Sequence, residues 1–396
     1  MRLGCILVQP FPKRLCIYIT MPTEGIFVAV GRSFLGNSNQ IGSSADGGQT
    51  WTLVSQPNGI FSGGYSNSIT YGNGRFVAVG FSVFGESNQI GYSTDGGQTW
   101  ASSTQTNGLF GGGGGGSGYG IAYGNGRFVA VGGSYLGESN KIGYSTDGDN
   151  WTLATELNGL FGSGYGNGIT YGNGRFVAVG YNGLGENHHI GYSTDGQTWT
   201  LANQLNGLFS GSRGIGITYG NGRFVAVGGS YLGESNKIGY STDGDEWTLA
   251  TELNGLFANG DGFSIAYGNG RFVAVGDSYL GINNQIGYSM DGDKWTLASE
   301  PNGLFGGERF GEEGVDRGNS ITFGNGRFVA VGESESNKIG SSTDGDKWTV
   351  ATQLNGLFGG NVEGLGIAYA PPPPPPIFSI GPLSANRGLQ IAMASS

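Results

Sequence analysis

The sequence predicts an all-β protein, a seven-bladed β-propeller of four-stranded antiparallel blades. A unit of about 48 residues recurs along the chain, and its phrase Phe-Val-Ala-Val-Gly occurs seven times. All seven tryptophans fall at one equivalent place in these copies. Each copy contains short β-rich runs separated by turn residues, and four short strands in a repeat of this length are typical of a propeller blade.

The fourth unit shows how the strands are assigned. Residues 169–171 and 175–179 flank an Asn-Gly turn that tolerates positive φ, which predicts a hairpin of strands A and B. Strand B is apolar on both faces, as a strand packed between neighbouring blades requires. Residues 189–194 and 198–202 form a second pair, strands C and D, across an Asp-Gly-Gln turn.

The two ends of the repeat array predict how the ring closes. The run Gly366–Tyr369 matches the other A strands but follows the last blade, so we expect it to complete the first blade. Residues 17–21 are a weaker candidate for the same position. Six consecutive prolines then favour a stiff polyproline II spacer. The predicted organisation is a divergent N-terminal segment over 1–24, the propeller over 25–370, and a spacer with a disordered tail over 371–396.

Composition limits the classes of partner and site. A formal charge of −10 and an isoelectric point near 4.7 lack the basic footprint of a nucleic-acid binder. Cys5 and Cys16 are the two cysteines, so neither a disulfide framework nor a cysteine-rich metal site can run through the repeats. We expect no metal, no cofactor, no membrane span and a monomeric chain. The sequence leaves the cellular compartment open, since residues 1–22 make a poor signal peptide.

The turn between strands C and D carries a sequence pattern. Residues 44–51 and 93–100 match Ser-x-Asp-x-Gly-x-Thr-Trp in full, and the other five turns are one residue shorter between Asp and Trp. On these residues the chain resembles the Asp-box (BNR-repeat, sialidase-like) propellers over about residues 25–370. That superfamily includes sialidases, other glycoside hydrolases, photosystem assembly factors and lectin-like binders, so the resemblance implies a fold rather than an activity.

We expect a structural role for this box. The carboxylate can accept hydrogen bonds from turn N–H groups, while the indole packs on the base of the hairpin. A calcium role for aspartates spaced two apart is less favoured, since no bidentate Glu follows each pair as an EF-type loop needs. The box residues are Asp46, Trp51, Asp95, Trp100, Asp147, Trp151, Asp195, Trp199, Asp243, Trp247, Asp291, Trp295, Asp344 and Trp348.

An arginine opens strand B in six blades. A sialidase would use three arginines that converge on a substrate carboxylate. These six are symmetry-equivalent and start on the face of the Asp boxes, whereas Asp-box enzymes hold substrate on the opposite face. We therefore expect inter-blade hydrogen bonds from Arg75, Arg127, Arg175, Arg223, Arg271 and Arg327.

The loops on the face opposite the Asp boxes are the candidate ligand-binding elements. The B–C loop Tyr-Leu-Gly-Glu-Ser-Asn occurs in full at 135–140 and 231–236, and Asn-Gly-Leu-Phe recurs in the D–A loops. Aromatic, carboxylate and amide groups together suit sugar hydroxyls. In the alternative interpretation, Leu and Phe fill gaps between blades and the polar groups face water. The candidate residues are Tyr135, Glu138, Asn140, Tyr231, Glu234 and Asn236.

Departures from the repeat are few. The adjacent His188 and His189 point to opposite faces of a strand and make a poor metal pair. The insertion 307–317 carries Glu312 and Glu313 on the face where a glycosidase would work, and a solvated charged loop explains them equally in chemical terms.

Near-perfect repetition favours a non-catalytic binding module for a glycan or a protein partner, with avidity from repeated sites. A catalytic site is asymmetric. The alternative, a glycoside hydrolase of sialidase type, would take its residues from the non-repeating loops around Arg213, Asp261, 308–317 and Glu363. An intracellular assembly scaffold is a third interpretation.

Overall fold

The computed structural model describes most of the repeat region and short parts of both ends. The described residues are 4–6, 15–17, 25–32, 40–54, 60–61, 63–83, 89–104, 106–111, 116–134, 141–155, 157–182, 189–203, 205–230, 234–278, 285–305, 317–334, 338–352, 354–358, 363–373, 377–380 and 391–394.

Seven four-stranded antiparallel sheets form the blades, each with the order A-B-C-D, and the A strands of neighbouring blades contact one another around the centre. The predicted seven-bladed propeller is therefore confirmed. Blades 1 to 3 consist of Gly364–Ala370, Ile26–Gly31, Ile41–Ser44 and Thr52–Leu53; Tyr65–Gly72, Arg75–Phe81, Ile90–Ser93 and Ala101–Ser102; and Ser117–Gly124, Arg127–Gly133, Ile142–Ser145 and Thr152–Leu153. Blades 4 and 5 consist of Tyr165–Gly172, Arg175–Tyr181, Ile190–Ser193 and Thr200–Leu201; and Gly214–Gly220, Arg223–Gly228, Ile238–Ser241 and Thr248–Leu249. Blades 6 and 7 consist of Gly262–Gly268, Arg271–Gly276, Ile286–Ser289 and Thr296–Leu297; and Arg317–Gly324, Arg327–Glu333, Ile339–Ser342 and Thr349–Val350.

The C-terminal strand closes the ring, as predicted. Gly364–Ala370 pairs with Ile26–Gly31, with Ile26 opposite Ala370 and Val28 opposite Ala368. The competing N-terminal candidate does not take this position, because Leu15–Ile17 pairs with Gly4–Ile6 instead.

Outside the blades, Ile377–Ile380 pairs with Ile391–Ala394. The separation of 371–396 from the ring as a spacer and tail stays a prediction. The helical content of the described part of the chain is one four-residue 3-10 helix, Glu234–Lys237, and none of its helices has the length and apolar character to cross a membrane.

The hydrophobic core lies between blades rather than within one. Seven apolar clusters each join one blade to the next, and every strand B contributes to two of them through its two faces. In blade 4, Phe176 and Ala178 face blade 3, whereas Val177 and Val179 face blade 5. All four are fully buried. This two-sided burial explains why the strand-B sequence is apolar without alternation.

The D–A connections run inward between blades and fill the space there. Their Leu and Phe are 2% exposed or less, including Leu256 and Phe257 before blade 6. A Cβ at Gly287 on strand C would lie 2.8 Å from Leu256, so glycine leaves the room that the leucine occupies. Burial of such a side chain stabilises the fold by roughly 1.5–3 kcal/mol. The interpretation of these apolar residues as inter-blade packing is therefore correct.

The arginines that open strand B fasten successive blades, as expected from their symmetry. The Nη1 of Arg175 donates to the carbonyl of Asp243 in blade 5 at 2.7 Å, and its guanidinium lies 4.9 Å from the ring centre of Tyr192. The same bond to the next blade recurs at Arg75, Arg127, Arg223 and Arg271.

Candidate functional site at the mouth of the central channel

The A strands surround a central cavity of about 480 Å³. Its lining residues come from the first five residues of each A strand, at the end where the D–A connection delivers the chain. The B–C connections leave from this same end, because strand B runs antiparallel to strand A. The cavity therefore opens on the face opposite the A–B and C–D turns, the face on which ligands were predicted.

A β-bulge places side chains at this mouth. In blade 3 the ladder pairs Gly118 with Gly132 and Gly120 with Val131, so Tyr119 between them has no partner on strand B. The same shift occurs in all seven blades. A bulge re-aims the unpaired residue. The seven bulged residues all line the cavity: Asn67, Tyr119, Asn167, Ile215, Phe263, Asn319 and Leu365.

We call these seven bulged residues, together with the residue two positions before each, the rim. The preceding residues are Tyr65, Ser117, Tyr165, Arg213, Asp261, Arg317 and Glu363. Two positions after each bulged residue, by contrast, an isoleucine is buried in every blade: Ile69, Ile121, Ile169, Ile217, Ile265, Ile321 and Ile367. The repeat is thus uniform where it packs and varied where it meets the cavity.

One sector of the rim is aromatic. The rings of Tyr119 and Tyr165, from blades 3 and 4, have centroids 5.4 Å apart. Tyr165 also contacts Tyr181 at the end of strand B, with centroids 5.7 Å apart, and Tyr65 contacts Phe81 in the same way. Tyr181 is 37% exposed. These rings form an apolar and partly accessible surface that extends from the cavity across blade 4.

The opposite sector is charged and centres on Arg317. Its Nη2 lies 3.0 Å from Glu363 Oε2 and 3.5 Å from Glu333 Oε2, and its guanidinium lies over the ring of Phe263. Burial acts to lower the pKa of Arg317, but the carboxylates of Glu363, Glu333 and Asp277 outweigh it and raise that pKa. The positive charge of Arg317 is therefore neutralised by this chain's own carboxylates.

Arg213 differs from Arg317. Within the described residues its guanidinium makes no ion pair, and its side-chain hydrogen bond runs from Nη1 to the hydroxyl of Tyr165 at 3.2 Å. It lines the cavity and is partly exposed. Arg213 is a cation in contact with the aromatic sector rather than with an acid.

Blade 6 places two aspartates next to each other. The N–H of Asp261 donates to Asp277 Oδ1 across the start of the blade. Asp277 is 7% exposed. Burial raises the pKa of Asp277 against the effect of that hydrogen bond, and the charge of Asp261 adds to the rise. Among the described residues no group of three or more His, Cys, Asp or Glu is arranged to hold a metal ion.

Rim side chains also join neighbouring blades. The amide of Asn67 donates to the hydroxyl of Ser117 at 3.0 Å, and that of Asn319 donates to Glu363 Oε2 at 3.1 Å. Asn167 Nδ2 donates to the carbonyl of Gly214 at 2.8 Å. Because the amide nitrogens are used between blades, the rim is held in a fixed arrangement.

The ligand-binding residues predicted from the repeated loops are largely beyond the described chain. Tyr135, Glu138, Asn140 and Tyr231 lie outside it, and Glu234 is described only as part of the 3-10 helix. Asn236 is described: its Nδ2 donates to the carbonyl of Gly207 at 2.7 Å, and its own carbonyl accepts the Phe209 N–H. At Asn236 the loop is thus bound to a D–A connection.

The insertion residues Glu312 and Glu313 also lie outside the described chain. His188 does too, whereas His189 is 3% exposed and its Nδ1 is 3.2 Å from the carbonyl of Gly180. His189 takes the place that Lys141 and Lys237 have in blades 3 and 5, where each lysine binds carbonyls of the following D–A connection.

The C–D turns lie on the far face and form a hydrogen-bonded unit. In blade 4, Asp195 Oδ1 accepts the N–H groups of Gln197 and Thr198, and the Trp199 Nε1 donates to the carbonyl of Gly196 at 3.2 Å. Partial burial acts to raise the pKa of each turn aspartate, but the hydrogen bonds outweigh it and lower that pKa, to about 2 for Asp147. The lowered pKa recurs at Asp46, Asp95, Asp243, Asp291 and Asp344.

Sequence reasoning located Arg213, Asp261, Arg317 and Glu363 as departures from the repeat, and the structure places all four on the rim. It did not identify the aromatic sector. The signal was present, because the bulged position is Asn, Tyr, Ile, Phe or Leu in an otherwise uniform strand. A position-by-position comparison of the seven A strands would have found it.

No protein-family model matches the chain, and no curated protein does. Solved structures with similar chain courses include YCF48 bound to D1 peptide, with 17% identity and a TM-score of 0.46 over 72% of this chain and 81% of that one. YCF48 from Cyanidioschyzon merolae has 13% identity and a TM-score of 0.47 over 76% and 92% of the two chains. The nidogen/laminin complex has 13% identity and a TM-score of 0.44 over 77% and 97%. At these identities and scores, neither a ligand nor a residue role carries over to this chain.

Proposed function

We propose that this protein is a non-catalytic binding module that takes a segment of a protein partner at the mouth of its central channel. The observation that carries the proposal is the confinement of side-chain variety to the rim. Positions that only have to pack are the same in every blade, such as the buried isoleucines. A role limited to packing requires no such contrast, whereas recognition of an asymmetric ligand requires one.

The dimensions and chemistry of the mouth support a peptide-sized ligand. A cavity of about 480 Å³ is within the range of roughly 300–1,000 Å³ that ligand pockets occupy. It holds a few side chains rather than a folded domain. Aromatic residues and arginine are the types that dominate binding energy at protein interfaces, and Tyr119, Tyr165 and Arg213 supply them on adjacent blades.

The experiment is selection from a random peptide library displayed on phage, followed by binding of the selected peptides to purified variants. We expect Tyr119→Ala to weaken the selected peptides by about tenfold or more, the effect of a lost interface anchor. Lys294→Ala is the matched control, because Lys294 is an exposed residue of a C–D turn on the far face. Equal binding to the parent and to Tyr119→Ala would place the ligand elsewhere and contradict the proposal.

One observation favours the glycoside hydrolase alternative. Asp261 and Asp277 are neighbouring carboxyls in different environments, and the buried one has a raised pKa, which resembles the acid and base pair of a glycosidase. Yet Asp277 is 7% exposed and already accepts a backbone N–H, which keeps it from a substrate. A fluorogenic sialoside and a panel of mixed glycosides test this directly. Turnover that disappears in Asp277→Asn would replace the binding module by an enzyme.

Glycan binding by the repeated B–C loops is the second form of the module. It would place shallow sites at Tyr135, Glu138, Asn140, Tyr231, Glu234 and Asn236, away from the mouth. Two full copies of the loop in one ring support binding with avidity. Binding to a glycan array that survives Tyr119→Ala but is lost on changing the loops selects this form.

A further inference from the structure

The charge of Arg213 is available to a ligand, and that of Arg317 is not. Both arginines line the cavity. Arg317 lies within 3.5 Å of two carboxylates, whereas Arg213 makes no ion pair among the residues described. The guanidinium of Arg213 remains protonated at any physiological pH, so it presents an uncompensated positive charge to the cavity.

The hydroxyl of Tyr165 strengthens this feature. It accepts a hydrogen bond from Arg213 Nη1 at 3.2 Å. A phenol oxygen that accepts one hydrogen bond still has its own proton to donate. Arg213 and Tyr165 can therefore donate together to one anion, since the guanidinium retains further N–H groups.

The surroundings set the shape of that anion's carrier. The ring of Tyr165 is in contact with Tyr119 on one side and Tyr181 on the other, with centroid separations of 5.4 and 5.7 Å. These rings offer a surface for a planar or apolar group next to the charge.

We infer that the mouth binds a carboxylate at Arg213 and Tyr165, with an adjacent aromatic side chain of the same ligand against Tyr119 and Tyr165. This inference rests on the proposed function and names the chemistry of its ligand: a protein segment that carries a carboxylate next to an aromatic residue. The carboxylate can belong to an Asp or Glu side chain or to a C-terminus, because both present the same two oxygens.

The acidic balance of the whole chain does not oppose this. The net charge of −10 acts over the entire surface, but interactions beyond a Debye length of about 8 Å are largely screened at physiological salt. Contact with Arg213 is a short-range interaction in a partly enclosed cavity. The overall charge slows the approach of an acidic ligand more than it weakens the bound state.

Isothermal titration with four small probes tests the inference. The probes are acetyl-Asp-Trp-amide, its neutral counterpart acetyl-Asn-Trp-amide, the basic acetyl-Lys-Trp-amide, and acetyl-Gly-Trp with a free C-terminus. We expect the Asp probe to bind at least about tenfold more tightly than the Asn and Lys probes, as a charge-assisted hydrogen bond implies. Comparison with the free C-terminus shows which source of carboxylate fits.

Two variants assign the effect to Arg213. Arg213→Gln should abolish the preference for Asp over Asn, and Arg213→Lys should keep part of it, since the charge remains. Asp261→Asn is the control at the same strand position of the next blade; it should leave the preference intact or increase it. Unfolding midpoints of all variants establish that they are folded.

An equal affinity for the Asp and Asn probes, a preference for the Lys probe, or a preference unchanged in Arg213→Gln would overturn the inference. The proposed function would survive any of these results if phage-selected peptides still depended on Tyr119. It would fall separately, if selected peptides bound without regard to the rim.

Discussion

The side-chain Nδ2 of Asn254 donates a hydrogen bond to the backbone carbonyl of Trp295, 2.7 Å away, and so joins the connection leaving blade 5 to the outer strand of blade 6. Asn254 has a φ of 51°, in the left-handed region that asparagine tolerates better than most residues. One residue therefore supplies both a turn and an inter-blade bond. The same bond joins Asn107 to Trp151, Asn158 to Trp199, Asn206 to Trp247, Asn302 to Trp348 and Asn355 to Trp51.

Two substitutions at Asn254 separate these roles. Asn254→Gly removes the hydrogen bond but keeps the backbone conformation, so we expect a loss of about 1 kcal/mol in the free energy of unfolding. Asn254→Ala removes the bond and also strains the backbone, which adds about 1–2 kcal/mol. Urea denaturation measures both. If the alanine variant is as stable as the glycine variant, the positive φ is not maintained in solution.

Trp199→Ala should destabilise the protein by about 3–5 kcal/mol, the usual effect of deleting a large buried aromatic side chain. Trp199 is fully buried between blades 3 and 4, and its indole N–H is bonded to the carbonyl of Gly196. The check is the urea midpoint and slope. A midpoint equal to that of the parent would show that the tryptophan is not part of the core.

The turn aspartates predict acid sensitivity. Burial acts to raise their pKa values, but turn N–H donors lower them below the ordinary value of 3.8, to about 2 for Asp147. A carboxyl whose folded pKa is lowered contributes stability that is fully present above 3.8 and is lost as pH falls toward 2. We expect Asp147→Asn to be less stable than the parent at neutral pH, and the difference to shrink over that interval. Urea midpoints measured across it provide the check; a difference independent of pH would refute the carboxylate's role.

Much of the fold could be predicted because its rules are repeated. Phe-Val-Ala-Val-Gly specifies a strand buried on both faces, and seven copies with seven tryptophans specify the number of blades. Ring closure followed from one strand, Gly366–Tyr369, that had no partner after the last blade. Each of these inferences used local pattern and counting, which the chain supplies many times over.

The site could be predicted only in part, for a physical reason. Arg213 and Arg317 were visible as unique charges, but which arginine is neutralised depends on contacts with Glu333 and Glu363 from strands distant in sequence. The bulge that turns Tyr119 toward the cavity is a backbone irregularity whose flanking glycines look like those of any turn. Periodicity of two, the rule used to read strands, fails at the bulge.

Ring closure can be tested by truncation. Deletion from Pro371 onward should leave the urea midpoint nearly unchanged, because every blade strand is retained. Deletion from Gly364 onward removes strand A of blade 1 and the buried Ile367, Ala368 and Ala370, so we expect a much lower midpoint and an opened ring. Small-angle scattering would detect the opening as a larger radius of gyration. Equal stability losses in the two truncations would contradict C-terminal closure.

The repeated B–C loops give the sharpest test of glycan recognition. If they bind sugar, Tyr135 and Tyr231 are the aromatic platforms, and changing both to Ala should reduce avidity for a multivalent glycan far more than either single change, since each removes one linked site. Asn236→Ala serves as a structural control. Its amide is bonded to the carbonyl of Gly207, so that change should lower the unfolding midpoint and leave avidity less affected than the double tyrosine change. Blade 7 lacks three residues of this loop and its tyrosine, so it should bind weakly. A double tyrosine variant that binds the glycan like the parent would make the loops packing elements and leave the channel mouth as the place of recognition.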